Sequence, residues 1–553
     1  VYDFGQNFAG WPEVTLQGTA GVAVKLTPGE LLDATGVVNQ TSMGSPVWFT
    51  YTLKGGGAPE TWHPRFSYTG FRYIQVDAAA PAAQAASFPA RPQITALTGQ
   101  AISASAETVG QFSSSDADLN HIHALILAAF RSNLQNVLTD CPHREKLGWL
   151  ETAHLLATGI MYNFDVAAFY EKIIRDMRDG QTTDGLIPDI APEMTVFAGA
   201  FRDSPEWGSA YILGPWRVYQ MYGDRQPLAE HYANMKRYVT YLAGKATGNI
   251  LGYGLGDWYD VGPAAPGASQ LTTAGVTATA IWLEDMQVMQ QAATLLGNTA
   301  DATQYQSTIA TVTNAFNAKF LSANGTFDRG SQTGQAMPIA LGLVPDAQRA
   351  GVIAHLVSSV TSAQNRVTAG DVGFRYLVHA LSQAGRDDVM FSMVKQSAGP
   401  GYLYQINRGA TALTEAWDAN PADSQNHAML GHAEEWLYSG LGGISTDPAA
   451  PGWRKFIVRP QPQTGVASVN VQYHSIQGPI ASAWQRGAGT AVTYSITIPP
   501  NTIATVTIPT TNPAGVTEGG VPATTAPGIT AHTTGTSTLE LVAGSGSYVF
   551  IAP

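Results

Sequence analysis

The hydrophobic period of this chain changes twice, and no other feature constrains its fold as strongly. Up to about residue 108 the apolar residues alternate in short runs set off by glycines: Val14-Thr15-Leu16, Val22-Ala23-Val24-Lys25-Leu26 and Phe71-Arg72-Tyr73-Ile74-Gln75-Val76. Such alternation buries one face of a pleated strand. Ala and Pro crowd residues 77–92 as a surface connection, and Ile94-Thr95-Ala96-Leu97 resumes the strand pattern. From about 113 to 443 the spacing becomes three and four. Ser113-Ser114-Ser115-Asp116 can cap a helix on which Ile122, Leu125, Ile126, Ala129, Phe130, Leu134 and Val137 share a face. Similar patterns fall near 153–163, 166–178, 209–222, 228–244, 274–296, 301–319, 347–361, 371–384 and 424–439. After about 446, Phe456-Ile457-Val458, Val469-Asn470-Val471, Val492-Thr493-Tyr494-Ser495-Ile496-Thr497-Ile498 and Ala504-Thr505-Val506-Thr507-Ile508 return to strand patterning between Thr/Gly/Pro-rich loops. The reading is a multidomain α and β chain. A β-sandwich spans 1–108, an (α/α)6 toroid spans 109–445, and a second β-sandwich spans 446–553. An open solenoid is disfavoured by the lack of a constant period or repeated motif.

Charged residues make up only 13% of the chain, about half the usual share, so Thr, Ser, Asn, Gln and Gly must cover the surface, as suits an exported protein. A net charge of −12 without a basic stripe argues against nucleic acid and anionic membranes as partners. No run of eighteen apolar residues is present to span a membrane. Cys141 is the single cysteine, so neither an intrachain disulfide nor a CxxC site can form, and its setting suits a packed thiol rather than a nucleophile. The chain opens at Val1 within a strand-like pattern that lacks a basic and then apolar leader, so a signal peptide or further domains are expected upstream.

The chemistry gathers on loops of the helical segment. Thr139-Asp140-Cys141-Pro142-His143-Arg144-Glu145-Lys146-Leu147-Gly148-Trp149 packs two carboxylates, several bases and an indole between two helices. A second cluster lies far downstream, Thr414-Glu415-Ala416-Trp417-Asp418 with Asn426-His427. Between them stand Glu206-Trp207-Gly208 and Gly256-Asp257-Trp258. Indole faces stack on sugar C–H surfaces and carboxylates accept from sugar hydroxyls. One such pair is commonplace, but four on loops of one helical domain point to a carbohydrate pocket.

At these residues the chain resembles glycoside hydrolase family 78, the α-L-rhamnosidases. Asp3-Phe4-Gly5-Gln6-Asn7-Phe8-Ala9-Gly10-Trp11 is similar to the family's opening strand. Pro64-Arg65-Phe66-Ser67-Tyr68-Thr69-Gly70-Phe71-Arg72-Tyr73 is similar to a signature later in the same domain, and Asn426-His427 to its Asn-His pair. The resemblance implies that Glu145 is the general acid and Glu415 the general base. It further implies that Asp140, Arg144, Trp149, Trp207, Asp257, Trp258, Trp417 and His427 bind the substrate, a rhamnosylated oligosaccharide or glycoside. Neither metal nor cofactor is implied. Thr152 and Ser209 stand where the family has an Asp, and Thr414 where a Trp is common.

The implied reaction is inverting hydrolysis that releases terminal α-L-rhamnose, with the carboxylates about 6.5–9.5 Å apart to admit a water. The alternative is a polysaccharide lyase on the same toroid, cleaving beside a uronic acid with His143, Arg144, Lys146 and His427 as its cationic parts. A non-catalytic carbohydrate-binding protein is a third reading, disfavoured by the retention of both Glu145 and Glu415.

Overall fold

The alternating N-terminal runs pair as antiparallel strands. Strand Tyr2–Gln17 is the spine of a seven-stranded sheet, bonded to Glu60–Trp62, Thr69–Asp77 and Gln93–Ala101. Its residues Val14 and Leu16 are buried with Val24, Leu26, Phe71 and Ile74 in one apolar cluster. The pairing register shifts between Asp3 and Phe8. A bulge of this kind re-aims the side chains beside it, and here it buries Asn7. A two-stranded ribbon, Leu31–Leu32 with Val38–Asn39, follows the buried Glu30.

The computed structural model describes residues 1–487 and 489–553, which form two compact units. The first comprises Val1–Ser105, Ala124–Gly148 and Tyr404–Leu430. Within it, strands give way to the loops that carry both candidate catalytic carboxylates. The second comprises Ala106–His123, Trp149–Leu403 and Gly431–Pro553.

In the second unit, helices Ala157–Asn163, Ala167–Gly180, Ala210–Tyr222, Gln226–Lys245, Ala274–Leu296, Thr299–Phe320, Asp346–Ser362 and Asp371–Gln383 fall where the spacing predicts them. Neighbours in sequence pack as hairpins: Ala274–Leu296 lies on Thr299–Phe320, and Gln332–Ala340 on both Asp346–Ser362 and Asp371–Gln383. Among the described residues, no helix is long and apolar enough to cross a membrane. Strands Ser468–Ser475, Gly478–Arg486, Val492–Ile498 and Gly546–Ala552 build a seven-stranded sheet, accompanied by a five-stranded one.

Two segments differ from the periodicity. Gly110–Ser114, inside the span assigned to helices, is a strand bonded to Ser468–Ser475. A Cβ on Gly110 would lie 2.0 Å from the Tyr162 carbonyl oxygen, so only glycine permits that approach. The helix starts at Ala117, capped by Asp116, whose Oδ1 accepts from the amides of Asp118 and Leu119. The predicted helix over 424–439 is irregular as far as residue 432. There the Gln425 amide donates to Glu30, the His427 amide to Leu413 O and the Met429 amide to His427 Nδ1. Buried Leu430, Ala433 and Leu437 keep the three- and four-residue spacing although Leu430 lies in a loop.

Candidate active site

The loop after Thr139 is closed on itself by Asp140. Its amide donates to Leu147 O at 3.0 Å and its Oδ1 accepts from the Leu147 amide at 2.8 Å, while Lys146 takes a left-handed conformation (φ 56°) that turns the chain back. Arg144 and Glu145 sit within that closed loop. Arg144 Nη2 donates to Glu415 Oε2 at 2.6 Å across 271 positions of sequence, and Arg144 Nε lies 3.8 Å from Glu145 Oε1. With those two distances and a guanidinium about 2.3 Å across between them, the carboxylate oxygens stand no more than about 9 Å apart. Glu415 is further fixed by the Ser424 amide, 2.9 Å from Oε2, and by its own amide on Ser424 O. The Glu145 side chain is 42% exposed, open to a leaving group.

N-terminal residues hold both loops. The Gly70 amide donates to Pro142 O, and a Cβ on Gly70 would meet Pro142 Cγ at 2.6 Å, so the acid loop needs glycine there. Arg72 pairs with Asp3 and donates to Gly409 O, and the Asn7 amide donates to Thr411 Oγ1. Buried Glu30 accepts from Asn7 Nδ2, Ser42 Oγ and the Gln425 amide, with His143 Nε2 at 3.4 Å. His143 Nε2 also lies 2.9 Å from Ser42 O and its Nδ1 3.4 Å from Ser424 Oγ, next to the residue that fixes Glu415. Sequence reasoning missed Glu30 because its partners lie up to 395 positions away. Glu30→Ala would strand several buried donors, so a loss of about 3–5 kcal/mol is expected in urea unfolding. A loss under about 1 kcal/mol would mean that the network is not stabilising.

His427, the remaining first-unit candidate with a titratable ring, is lowered to about 4 by burial and is neutral. Its Nδ1 accepts from the Met429 amide, which places the proton on Nε2. Lys146 donates to Tyr68 O and lies over the Tyr68 ring. Trp417 is 2% exposed and contributes to the core.

The second unit holds an aromatic platform. Trp149 packs on Phe197 with ring centroids 5.2 Å apart, and Phe201 meets Trp149 at 6.4 Å and Trp258 at 5.5 Å. Phe197 and Phe201 lie on an irregular stretch with no readable period, so pattern reading passed over them. Trp207, expected to offer an indole face, is 3% exposed. Asp257 is a clamp within the protein: Oδ2 accepts from Thr333 Oγ1 and the Gly370 amide, and Oδ1 from the Gly373 amide.

Behind the platform lie carboxylates that the motifs did not flag. Asp371 lies in the field of Glu151, Asp257 and Glu206, and its amide donates to Trp258 O. One oxygen each of Asp189, Glu206 and Asp371 is buried without a hydrogen-bond partner among the described residues. Gly254, at φ 116°, leaves room for Glu206, since a Cβ there would lie 2.7 Å from Oε2. Thr152, standing in place of an Asp, bonds to Trp149 O, and Ser209 donates to Asp285.

These acids give the fold a pH dependence. Asp140 is pushed up to about 7 by burial and then by the like charge of Glu145, while Glu206 and Asp257 reach about 7 chiefly through burial. Burial also raises Asp189 and Asp371 well above the carboxylate range. An acid raised in the folded state stabilises fully below its unfolded pKa and loses that contribution as the pH rises through its folded pKa. Burial lowers His154 and His427 to about 4 and His432 to about 3, so their contribution is complete above 6.5 and fades as the pH falls. Below 6.5 the two sets oppose each other, whereas above it only the acids change. Tm by calorimetry is therefore expected to fall from pH 6.5 to about 8, each acid contributing at most about 1.4 kcal/mol per pH unit. A Tm that rises over that interval would contradict the raised carboxyls.

Comparison with known proteins agrees with this architecture. Residues 1–98 match the bacterial α-L-rhamnosidase concanavalin-like domain, 107–441 the six-hairpin glycosidase domain, and 443–521 the C-terminal domain. An α-L-rhamnosidase of Streptomyces avermitilis is 32% identical over 525 residues, covering 93% of this chain and 48% of that protein. One of Formosa agariphila is 26% identical over 524 residues, covering 93% and 55%. The chain spans about half the length of the curated relatives it matches. Among solved structures, the Streptomyces avermitilis α-L-rhamnosidase complexed with L-rhamnose superposes with a TM-score of 0.89 at 30% identity, covering 100% of this chain and 52% of that one. The α-L-rhamnosidase of Dictyoglumus thermophilum gives 0.91 at 30% identity, covering 100% and 61%. The shared architecture is a toroid-like helical region flanked in sequence by N- and C-terminal β-rich domains. Since the six-hairpin model alone accounts for more than half of its residues, this chain belongs to the bacterial α-L-rhamnosidase family.

Proposed function

We propose that the chain carries the catalytic machinery of an inverting α-L-rhamnosidase that releases terminal rhamnose from rhamnosylated oligosaccharides or glycosides. One observation carries the reading: Glu145 and Glu415 flank a single guanidinium, within about 9 Å of each other. That ceiling leaves room for the water that inverting enzymes place between their carboxylates. Glu145 protonates the glycosidic oxygen as the bond breaks, and Glu415 takes a proton from the water attacking the opposite ring face. Arg144 donates to Glu415 at 2.6 Å and lies 3.8 Å from Glu145, so it bears on both carboxylates. In the second unit, the Trp149–Phe201–Trp258 platform is of the kind that stacks on the apolar face of a 6-deoxy sugar. The relative of known structure that holds L-rhamnose supports the choice of sugar.

The cationic parts of the lyase reading are committed within the protein, Arg144 to Glu415. His143 is bonded to Ser42 O, Lys146 to Tyr68 O, and His427 is neutral. The test is incubation of the protein with an aryl α-L-rhamnoside and with a rhamnosyl disaccharide, with products read by mass. One water added per bond broken supports hydrolysis. Unsaturated products absorbing in the ultraviolet would favour elimination, and binding without turnover would favour a lectin-like role.

A further inference from the structure

The second unit contains a cavity of about 640 Å³ whose chemistry is unrelated to the rhamnoside-cleaving reading. Four arginines reach it from four separate elements: Arg217 from helix Ala210–Tyr222, Arg349 from Asp346–Ser362, Arg375 from Asp371–Gln383, and Arg459 from just after strand Lys455–Val458. Its volume falls in the range of small-molecule sites.

The charges do not cancel. Arg375 Nη1 is held by Glu435 Oε2 at 2.9 Å and by Leu155 O, and Arg217 Nη2 by Glu284 Oε1 at 2.9 Å. Among the described residues, Arg349 and Arg459 stand in no ion pair within 4 Å, although Arg459 Nη2 donates to Ser382 O and Oγ and lies in the field of Asp387, and the buried Nε of Arg217 has no hydrogen-bond partner. Hydroxyls of Ser382 and Ser439 add polar groups to the wall. A wall with two guanidinium groups that lack a carboxylate partner within 4 Å, in a chain of net charge −12, runs against the overall field and is local in origin. Guanidinium forks match carboxylate and phosphate oxygens, and the hydroxyls match those of a polyol.

We propose that this cavity binds a small hydroxylated oxyanion, a sugar carboxylate or a sugar phosphate, through Arg349 and Arg459 with Arg217 behind them. The bland alternative is a solvent-filled recess whose arginines serve only Glu284 and Glu435. Calorimetric titration of the full chain with glucuronate and with glucose 6-phosphate separates the two sources of the oxyanion, with glucose and sodium chloride of matched ionic strength as controls. Saturable binding of either anion, absent for glucose and accompanied by a raised Tm, is expected. Arg349→Gln and Arg459→Gln should each weaken it at least about tenfold, as befits loss of a charge-assisted contact. Both side chains are half-buried and outside the ion pairs of the fold, and circular dichroism would confirm that each variant is folded. No saturable binding of either anion, or affinities unchanged in both folded variants, would overturn the proposal.

Discussion

Glu145→Gln is expected to lower kcat on a rhamnosyl disaccharide by roughly 10²–10⁴-fold, the usual size of general acid–base assistance, while an activated aryl rhamnoside is cleaved at close to the unmodified rate. A sugar alkoxide leaves only with a proton, whereas an aryloxide leaves without much help. The glutamine keeps the shape of the side chain and removes the proton. Structure allows this division of labour because the Glu145 side chain is partly exposed, within reach of a leaving group, and not sealed in the core. Equal losses on both substrates, measured as kcat side by side, would mean that Glu145 is not the leaving-group acid.

Glu415→Gln should behave differently, depressing both substrates alike and by at least about 10²-fold, because every turnover needs the activated water whatever the leaving group. The substitution also removes the ionic partner of Arg144, 2.6 Å away, but keeps an acceptor for the Ser424 amide, so the loop can persist. Binding of rhamnose should survive in the variant, since glutamine keeps the size of the side chain and an acceptor for its neighbours. An active Glu415→Gln would remove the base assignment and return weight to elimination chemistry.

How much of this was legible in the sequence differs by residue. The acid loop could be read because Asp140, Arg144 and Glu145 are crowded within a few positions on a segment with no apolar face to bury. The pairing of Glu145 with Glu415 through Arg144 is a tertiary fact, and only the resemblance to a known family joined the two motifs. Glu30 lies in a turn of the N-terminal sheet with no local signal, because all its meaning comes from Gln425, Ser42 and His143. Asp371 begins a helix, where an acidic residue is ordinary, so its burial near other carboxylates could not be foreseen. Trp207 and Trp417 show what a sequence cannot weigh: a tryptophan beside a carboxylate reads as a sugar platform, and the structure buries both indoles. The strand at Gly110–Ser114 was hidden because five residues are too few to establish a period, and the strand it pairs with starts at Ser468.

The central claim is that Glu145 and Glu415 act as acid and base on opposite faces of a rhamnose ring, and the stereochemistry of the first product tests it most directly. Proton NMR of the anomeric signal, recorded in the first minutes of hydrolysis of an aryl α-L-rhamnoside, should show β-L-rhamnose before mutarotation brings in the α form. Appearance of α-L-rhamnose first would contradict the account.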